Sequence, residues 1–143
     1  MKRKYDNFPD GFVIADPLDT FEQGTGPFYA LPDDGADPCI FARIEPRHLN
    51  ATGAVHGGLL MTMADLALAY TARRGAENER TVTVSLNCEF LEGGREGEFL
   101  QARAEILRRT GALVFGRAQV KVEERVLLNC SAVMRRVRLD KSR

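Results

Sequence analysis

Cysteine is scarce in this 143-residue chain, where Cys39, Cys88 and Cys130 are widely spaced and never form a CxxC pair. An odd number at this spacing argues against a disulfide framework and against a zinc knuckle. Cys88 and Cys130 occupy apolar positions of strand-like segments, so we expect buried, reduced thiols. An excess of one charge is also lacking, because 20 basic residues balance 20 acidic ones. We therefore expect no nucleic-acid partner and no general attraction to anionic lipid.

Hydrophobic runs of membrane-spanning length are missing as well. The N-terminal segment MKRKYDNFPDGF begins with basic residues but has no apolar stretch, so we do not expect a signal peptide. The longest apolar stretch, residues 57–72, is too short and too polar at its ends to cross a bilayer. The basic C-terminal segment RRVRLDKSR carries no aromatic residue for stacking on bases, and we expect a solvated tail. These features predict a cytoplasmic protein without a membrane partner.

A composition of 44% hydrophobic and 28% charged residues is that of one ordinary globular domain. Residues 1–24 lack a sustained period and predict an irregular N-terminal arm with one helical turn. Two short strands, at 27–31 and 39–45, precede a long helix, and four alternating strands joined by short turns follow it. The predicted class is α+β, with one long helix against a curved antiparallel sheet of about five to six strands. This domain should span residues 25–137, followed by a tail at 138–143.

The long helix contains a single ionisable residue, Asp65. A lone carboxylate is costly to bury unless a partner or a reaction uses it. The helical period predicts two faces. The bulky face, which should pack on the sheet, comprises Leu59, Leu60, Met63, Leu66 and Tyr70. The opposite face carries mainly small residues that permit close approach of another backbone, namely Gly57, Gly58, Met61, Ala64, Asp65, Ala69 and Ala72. The alternative is a core helix with small residues where space is short.

The spacing of Gly57 and Asp65 suggests a site shared between two chains. Backbone amides at a helix start can stabilise an oxyanion. Eight residues separate Gly57 from Asp65, about 12 Å along the axis, so the acid of the same chain cannot reach that oxyanion. A second, antiparallel helix with a two-fold axis near Met61 would bring Gly57 of one copy beside Asp65 of the other. We therefore predict a homodimer, or a homotetramer built from such dimers, with active sites between subunits.

The segment N-A-T-G-A-V-H-G-G-L-L-M-T-M-A-D, residues 50–65, resembles the central motif of hotdog-fold acyl-CoA thioesterases. It is most similar to the branch that includes phenylacetyl-CoA-type enzymes, and the likeness extends over about residues 25–137. The resemblance implies a hotdog fold and hydrolysis of an acyl-CoA or aryl-CoA thioester to the free acid and CoA. We expect no cofactor, and no metal, because His48 and His56 without a nearby acidic ligand make a poor metal site.

The resemblance also implies a role for each matching residue. The Gly57 N–H and the Asn50 side-chain amide would polarise the thioester carbonyl. Asp65 would act as nucleophile or as general base on water, and Thr83 would orient the acid or its water. His56 would lie near the thiolate leaving group or help to hold the substrate. In this family the acid and the hydroxyl come from the subunit opposite the glycine amide.

Further candidates would bind substrate: Gly58, Met61, Phe90 and Leu91 near the acyl group, and Arg108 near the CoA phosphates. Arg73 and Arg74 are alternatives to Arg108, although a helix C-terminus attracts cations for electrostatic reasons alone.

Structural interpretations of the site residues stay open at this point. Asp65 could bond to backbone, Asn50 could shape a turn, the glycine pair could serve packing, His56 could simply begin the helix, and Thr83 could be an ordinary strand residue. The alternative function is a non-catalytic acyl-CoA-binding or regulatory protein of the same fold.

Overall fold

The computed structural model of the protein describes residues 10–31 and 38–139. In chain order the elements are β1 (Val13–Ile14), α1 (Thr20–Thr25), β2 (Tyr29–Ala30), β3 (Cys39–Arg43), a 3-10 turn (Pro46–His48), α2 (Gly57–Arg73), β4 (Glu79–Phe90), β5 (Phe99–Arg109), β6 (Leu113–Val122) and β7 (Arg125–Arg138). The strands form one antiparallel sheet in the order β1-β2-β3-β5-β6-β7-β4. Within the described ranges, no helix combines the length and apolar character needed to cross a membrane.

The predicted α+β hotdog architecture is confirmed, since the 17-residue helix α2 packs against the sheet around one hydrophobic core. The seven strands exceed the predicted five to six because the two-residue β1, inside the predicted arm, pairs with β2. The predicted helical turn in the arm is α1. Gly116 on β6 lets α2 approach closely, because a Cβ there would lie 2.7 Å from Cδ2 of Leu68. The core therefore depends on a close contact between helix and sheet.

The predicted faces of α2 are partly wrong. Three of the five bulky residues are buried as expected, but Leu66 and Tyr70 are only half-buried. Ala64 and Ala72, predicted on the outer face, are buried. The helix is rotated relative to the prediction because alanines on its inner side allow a closer contact with the sheet than larger side chains would.

The predicted alternation of β4 is interrupted. The register with β7 shifts between Thr83 and Ser85, so one face is not continuous along the strand. Leu86 packs against the core, whereas Val82 and Val84, predicted on the same side, are 57% and 63% exposed. β4 is the outermost strand of the sheet, and its outer edge has no neighbouring strand in the described part of the chain.

The expectation of a solvated tail is wrong for residues 135–138, because these residues complete β7 and pair with β4. The Arg136 guanidinium donates to both carboxylate oxygens of Glu79, at 2.8 and 2.9 Å. These hydrogen bonds hold the pKa of Glu79 below its usual range. A basic segment can therefore continue the sheet when an acid on the neighbouring strand accepts its charge. The predicted irregular segment at 1–9 and the tail residues 140–143 lie outside the described residues.

Candidate active site

The acid and the hydroxyl of the predicted site lie in direct contact. Asp65 is half-buried in the middle of α2, and Thr83 is exposed on β4. The Thr83 hydroxyl donates to Oδ1 of Asp65 at 2.5 Å. No backbone amide of the described residues donates to this carboxylate, so the fold does not use Asp65 as a backbone-bonded structural acid. Its Oδ2 atom is available to water or substrate.

The start of α2 leaves one backbone amide without an intramolecular acceptor. His56 is the N-cap, and its Nδ1 accepts from the Gly58 N–H at 2.8 Å. The Leu59 N–H donates to the His56 carbonyl at 3.0 Å. Among the described residues no acceptor lies within hydrogen-bond distance of the Gly57 N–H. This donor, at the positive end of the helix dipole, is the one that can bind an oxyanion.

Asn50 has the turn-forming role that the sequence left open. Its Oδ1 accepts from the Thr52 N–H, the Thr52 hydroxyl and the Ala54 N–H, at 2.9, 2.6 and 3.3 Å. These bonds make it a turn residue. With Oδ1 occupied by these donors, the Nδ2 amide of Asn50 donates to no acceptor among the described residues.

The glycines at the helix start are also required for packing. A Cβ on Gly57 would lie 2.8 Å from Cε1 of Phe90, and a Cβ on Gly58 would lie 2.9 Å from Nδ1 of His56. Phe90 and Leu91 follow one another at the end of β4 and are 53% and 59% exposed. An exposed aromatic ring thus covers the glycine whose amide is available.

Within one chain the two halves of the site do not meet. Gly57 and Phe90 form one half, and Asp65 and Thr83 form the other, two turns further along α2. The half-buried Met61 lies between them on the helix. An axial separation of about 12 Å is too long for one carbonyl group to contact both halves.

Arg108 is exposed on β5, just after a register shift between Ile106 and Arg108. No contact with Asp65 or Gly57 places it in the site. Arg73 and Arg80 line a cavity next to α2. Sequence reasoning missed Arg80, since the start of β4 gave no sign of its position beside the helix.

Neither thiol in the β4–β7 pair is suited to nucleophilic attack. Cys88 and Cys130 face each other in register on the two strands. Burial raises the pKa of Cys130 to about 11 and also raises the pKa of Cys88. The thiolate is the reactive form of cysteine, so both groups stay protonated and unreactive at neutral pH.

Residues 52–129 match the family described as the Thioesterase superfamily. The chain belongs to that family. This thioesterase is 30% identical over 128 residues to the Pseudomonas aeruginosa protein named "Putative esterase PA0474", covering 89% of this chain and 96% of that protein. It is 34% identical over 77 residues to human acyl-coenzyme A thioesterase 13, covering 51% of this chain and 52% of the human protein. A Bacillus halodurans protein crystallised with CoA has the same fold at 21% identity, with a TM-score of 0.66 over 73% of this chain and 70% of that one.

The family assigns the class of reaction, and the chain is a thioester hydrolase. Such a reaction needs a donor for the developing oxyanion and a base or nucleophile for the carbonyl carbon. The described residues offer both, in two halves separated along α2.

Sequence reasoning missed a polar contact between the thioesterase's arm and α2. Glu22 on α1 is only 3% exposed, and the Tyr70 hydroxyl lies 3.4 and 3.5 Å from its two oxygens. Burial, together with Asp19 and Asp16, raises the pKa of Glu22 to about 7. The sequence D-x-x-E is a helix-start pattern, and Asp19 does cap α1. That pattern alone would place Glu22 in solvent.

Replacing Glu22 by Gln should change how stability depends on pH. Folding raises the pKa of Glu22 from 4.5 to about 7, so the folded protein holds this proton more tightly. The stabilisation is complete below the unfolded pKa and is lost as pH rises through the folded one, by up to about 1.4 kcal/mol per pH unit. Urea unfolding at pH 5 and pH 8 should therefore show a smaller decline in Glu22→Gln than in the wild type. The exposed-loop variant Glu96→Gln should behave as the wild type does, and equal declines in both variants would refute the assignment.

Proposed function

We propose that this thioesterase hydrolyses an acyl-CoA or aryl-CoA thioester to the free acid and CoA, in sites formed between two copies of the chain. The observation that carries the proposal is the Asp65–Thr83 contact, two turns from an unoccupied amide donor at Gly57. The human relative is named an acyl-coenzyme A thioesterase, and CoA binds a protein of the same fold. Both support CoA as the leaving group. The test is thiol release from acetyl-, octanoyl-, palmitoyl- and phenylacetyl-CoA with a thiol-reactive dye, and failure with all four would contradict the proposal.

In the proposed reaction the thioester carbonyl oxygen accepts from the Gly57 N–H and from Nδ2 of Asn50 of one subunit. Asp65 of the other subunit, held by Thr83, removes a proton from water as the water oxygen bonds to the carbonyl carbon. The tetrahedral intermediate then collapses with cleavage of the C–S bond. The CoA thiolate takes the proton that Asp65 removed from water. The neutral His56 ring, whose Nδ1 is an acceptor, can donate a hydrogen bond to the sulfur through Nε2–H without giving up that proton. Each amide donor is expected to supply roughly 10²–10³ in rate.

Asp65 could instead attack the carbonyl carbon directly and form an anhydride that water then cleaves. A single turnover in ¹⁸O-labelled water separates the two routes. Label in the released acid alone supports the general-base route. Label in the Asp65 carboxylate supports nucleophilic attack, because water then opens the anhydride at the enzyme side.

The edge strand supports assembly of two copies. β4 is 12 residues long, exposes Val82 and Val84, and carries unpaired backbone groups along its outer edge. Such an edge favours pairing with another strand. A two-fold axis that crosses β4 between Thr83 and Phe90 would set each acid–hydroxyl pair against the other copy's helix start. A homodimer is therefore the smallest complete unit, and a homotetramer would be two such dimers.

Mixed dimers test the shared site. Asp65→Asn chains and chains lacking the Gly57 amide should each be inactive alone. Random pairing of equal amounts makes half of the dimers mixed, and each mixed dimer has one intact site, so about a quarter of wild-type activity should return. The measurement is thiol release after co-refolding, with each variant refolded alone as control. Recovery of no activity, despite mixed dimers shown by mass spectrometry, would rule out sites built between subunits.

A further inference from the structure

A cavity of about 200 Å³ lies beside the proposed site, between α1, α2 and the start of β4. Its wall on the α2 side is formed by Leu66, Ala69, Tyr70 and Arg73, and Arg80 and Thr81 line it on the β4 side. Glu22 reaches it from α1. The cavity therefore combines the apolar side chains of Leu66 and Ala69 with polar and charged groups from all three elements.

Residue spacing along α2 and β4 places the cavity next to Asp65. Ala69 follows Asp65 by four residues and occupies the same helix face, about 6 Å further along the axis. Thr81 precedes Thr83 by two residues and lies on the same side of β4, before the register shift. A group bound at Asp65 can thus extend between α2 and β4 into the cavity.

The carboxyl group of Glu22 has unused hydrogen-bonding capacity. Its side chain is almost fully buried, yet the distant Tyr70 hydroxyl is its one hydrogen-bond partner among the described residues. A carboxylate can accept about four hydrogen bonds, and burial without them is unfavourable. The unused hydrogen-bonding capacity of the Glu22 carboxyl indicates that a polar group of a ligand can bind to it.

Three of the other charged groups of the cavity have backbone partners. The Arg80 guanidinium donates to the carbonyls of Glu77 and Glu79, and the Asp16 and Asp19 carboxylates accept from backbone amides of α1 and of the turn before it. Arg73 lies over the Tyr70 ring at 5.9 Å and places a cation at the cavity wall. Glu22 and the Tyr70 hydroxyl, 3.4 and 3.5 Å apart, are the closely spaced pair that can bind a polar group there.

On the basis of the proposed function, we propose that this cavity receives the far end of the acyl group, and that Glu22 and Tyr70 select acyl chains ending in a hydroxyl group over unsubstituted chains of equal length. The terminal hydroxyl donates to the Glu22 carboxyl and accepts the hydrogen bond that the Tyr70 hydroxyl otherwise donates to Glu22 over a long distance. A methyl group in the same place leaves Glu22 with that long contact alone. At about 30 Å³ for each water-sized group, the cavity has room for about six such groups, which fits a chain of medium length.

The test compares kcat/KM for octanoyl-CoA and 8-hydroxyoctanoyl-CoA. The wild type should prefer the hydroxylated substrate by roughly 10- to 100-fold, the range for one or two hydrogen bonds in a buried site. Glu22→Leu should reverse the preference by accelerating octanoyl-CoA. Glu22→Gln should keep part of the preference because an amide can still accept. Tyr70→Phe, which removes one hydroxyl group, should reduce the preference for the hydroxylated substrate several-fold. This variant provides the test if Glu22→Leu does not fold.

The exposed acid Glu77, whose substitution leaves the cavity wall intact, provides the matched control, and Glu77→Gln should keep the wild-type ratio. The inference would be overturned if the wild type had equal kcat/KM for the two substrates, or if the ratio of the two values stayed unchanged in both Glu22→Leu and Tyr70→Phe. In either case, hydrolysis of one of the substrates would still support the proposed function. Absence of thiol release from every acyl-CoA tested would overturn both.

Discussion

Replacing Asp65 by Asn is expected to lower kcat/KM for acyl-CoA hydrolysis by roughly 10²–10⁴, the usual contribution of a general base. The substitution keeps the shape of the side chain and an oxygen that can still accept from the Thr83 hydroxyl. It removes only the ability to take a proton or to attack as an anion. The measurement is the rate of CoA thiol release, with thermal unfolding to confirm that the fold is retained.

Thr83→Val provides the matched control for the loss of Asp65. Valine has the same branched shape as threonine and removes the single hydrogen bond at 2.5 Å. If Thr83 orients the acid as proposed, the expected loss is about tenfold, equivalent to about 1.4 kcal/mol. An Asp65→Asn enzyme within tenfold of the wild type would contradict the role proposed for the acid.

Removing the Gly57 amide is expected to lower kcat/KM by roughly 10²–10³. Proline does this directly, because it has no N–H and is favoured at the first position of a helix. The preceding residue, His56, already has φ −66° and ψ 132°, the extended conformation that a following proline requires. Gly57→Pro therefore deletes the donor with little change to the backbone.

The Phe90 ring complicates this experiment, because any side chain at position 57 would come within 2.8 Å of it. The substitution is therefore made together with Phe90→Ala. Comparison of Gly57→Pro/Phe90→Ala with Gly57→Ala/Phe90→Ala isolates the N–H group, because both variants have lost the ring and both carry a Cβ. Equal activity in the two double variants would show that the amide does not bind the oxyanion.

Local patterns were enough to predict the central helix and the four long strands, and the family resemblance implied that Thr83 lies beside Asp65. The two residues are 18 positions apart in the sequence, so no local pattern pairs them. The resemblance implied that they interact, and the structure shows the hydrogen bond between them. The position of Glu22 could not be predicted, because a helix-start pattern describes α1 alone and carries no information about Tyr70, 48 residues later.

The rotation of α2 and the exposure of Val82 were unpredictable for the same reason. The helical period separates two faces but does not say how closely a sheet will approach either of them. Alternation along β4 likewise assumes a regular ladder, and the shift at Thr83 ends that regularity. Each of these features depends on contacts between residues that are distant in the chain. Local sequence patterns do not show such contacts.

A substitution at Gly116 should affect the proposed active site even though Gly116 itself does not belong to it. Any side chain there would press against Leu68, one turn beyond Asp65 on the same rigid rod. A displacement of α2 away from the sheet would move the Asp65 carboxylate away from the Thr83 hydroxyl on β4, although the substitution itself touches neither group. A side chain at this buried position is thus expected to disturb the Asp65–Thr83 contact as well as the packing of the core.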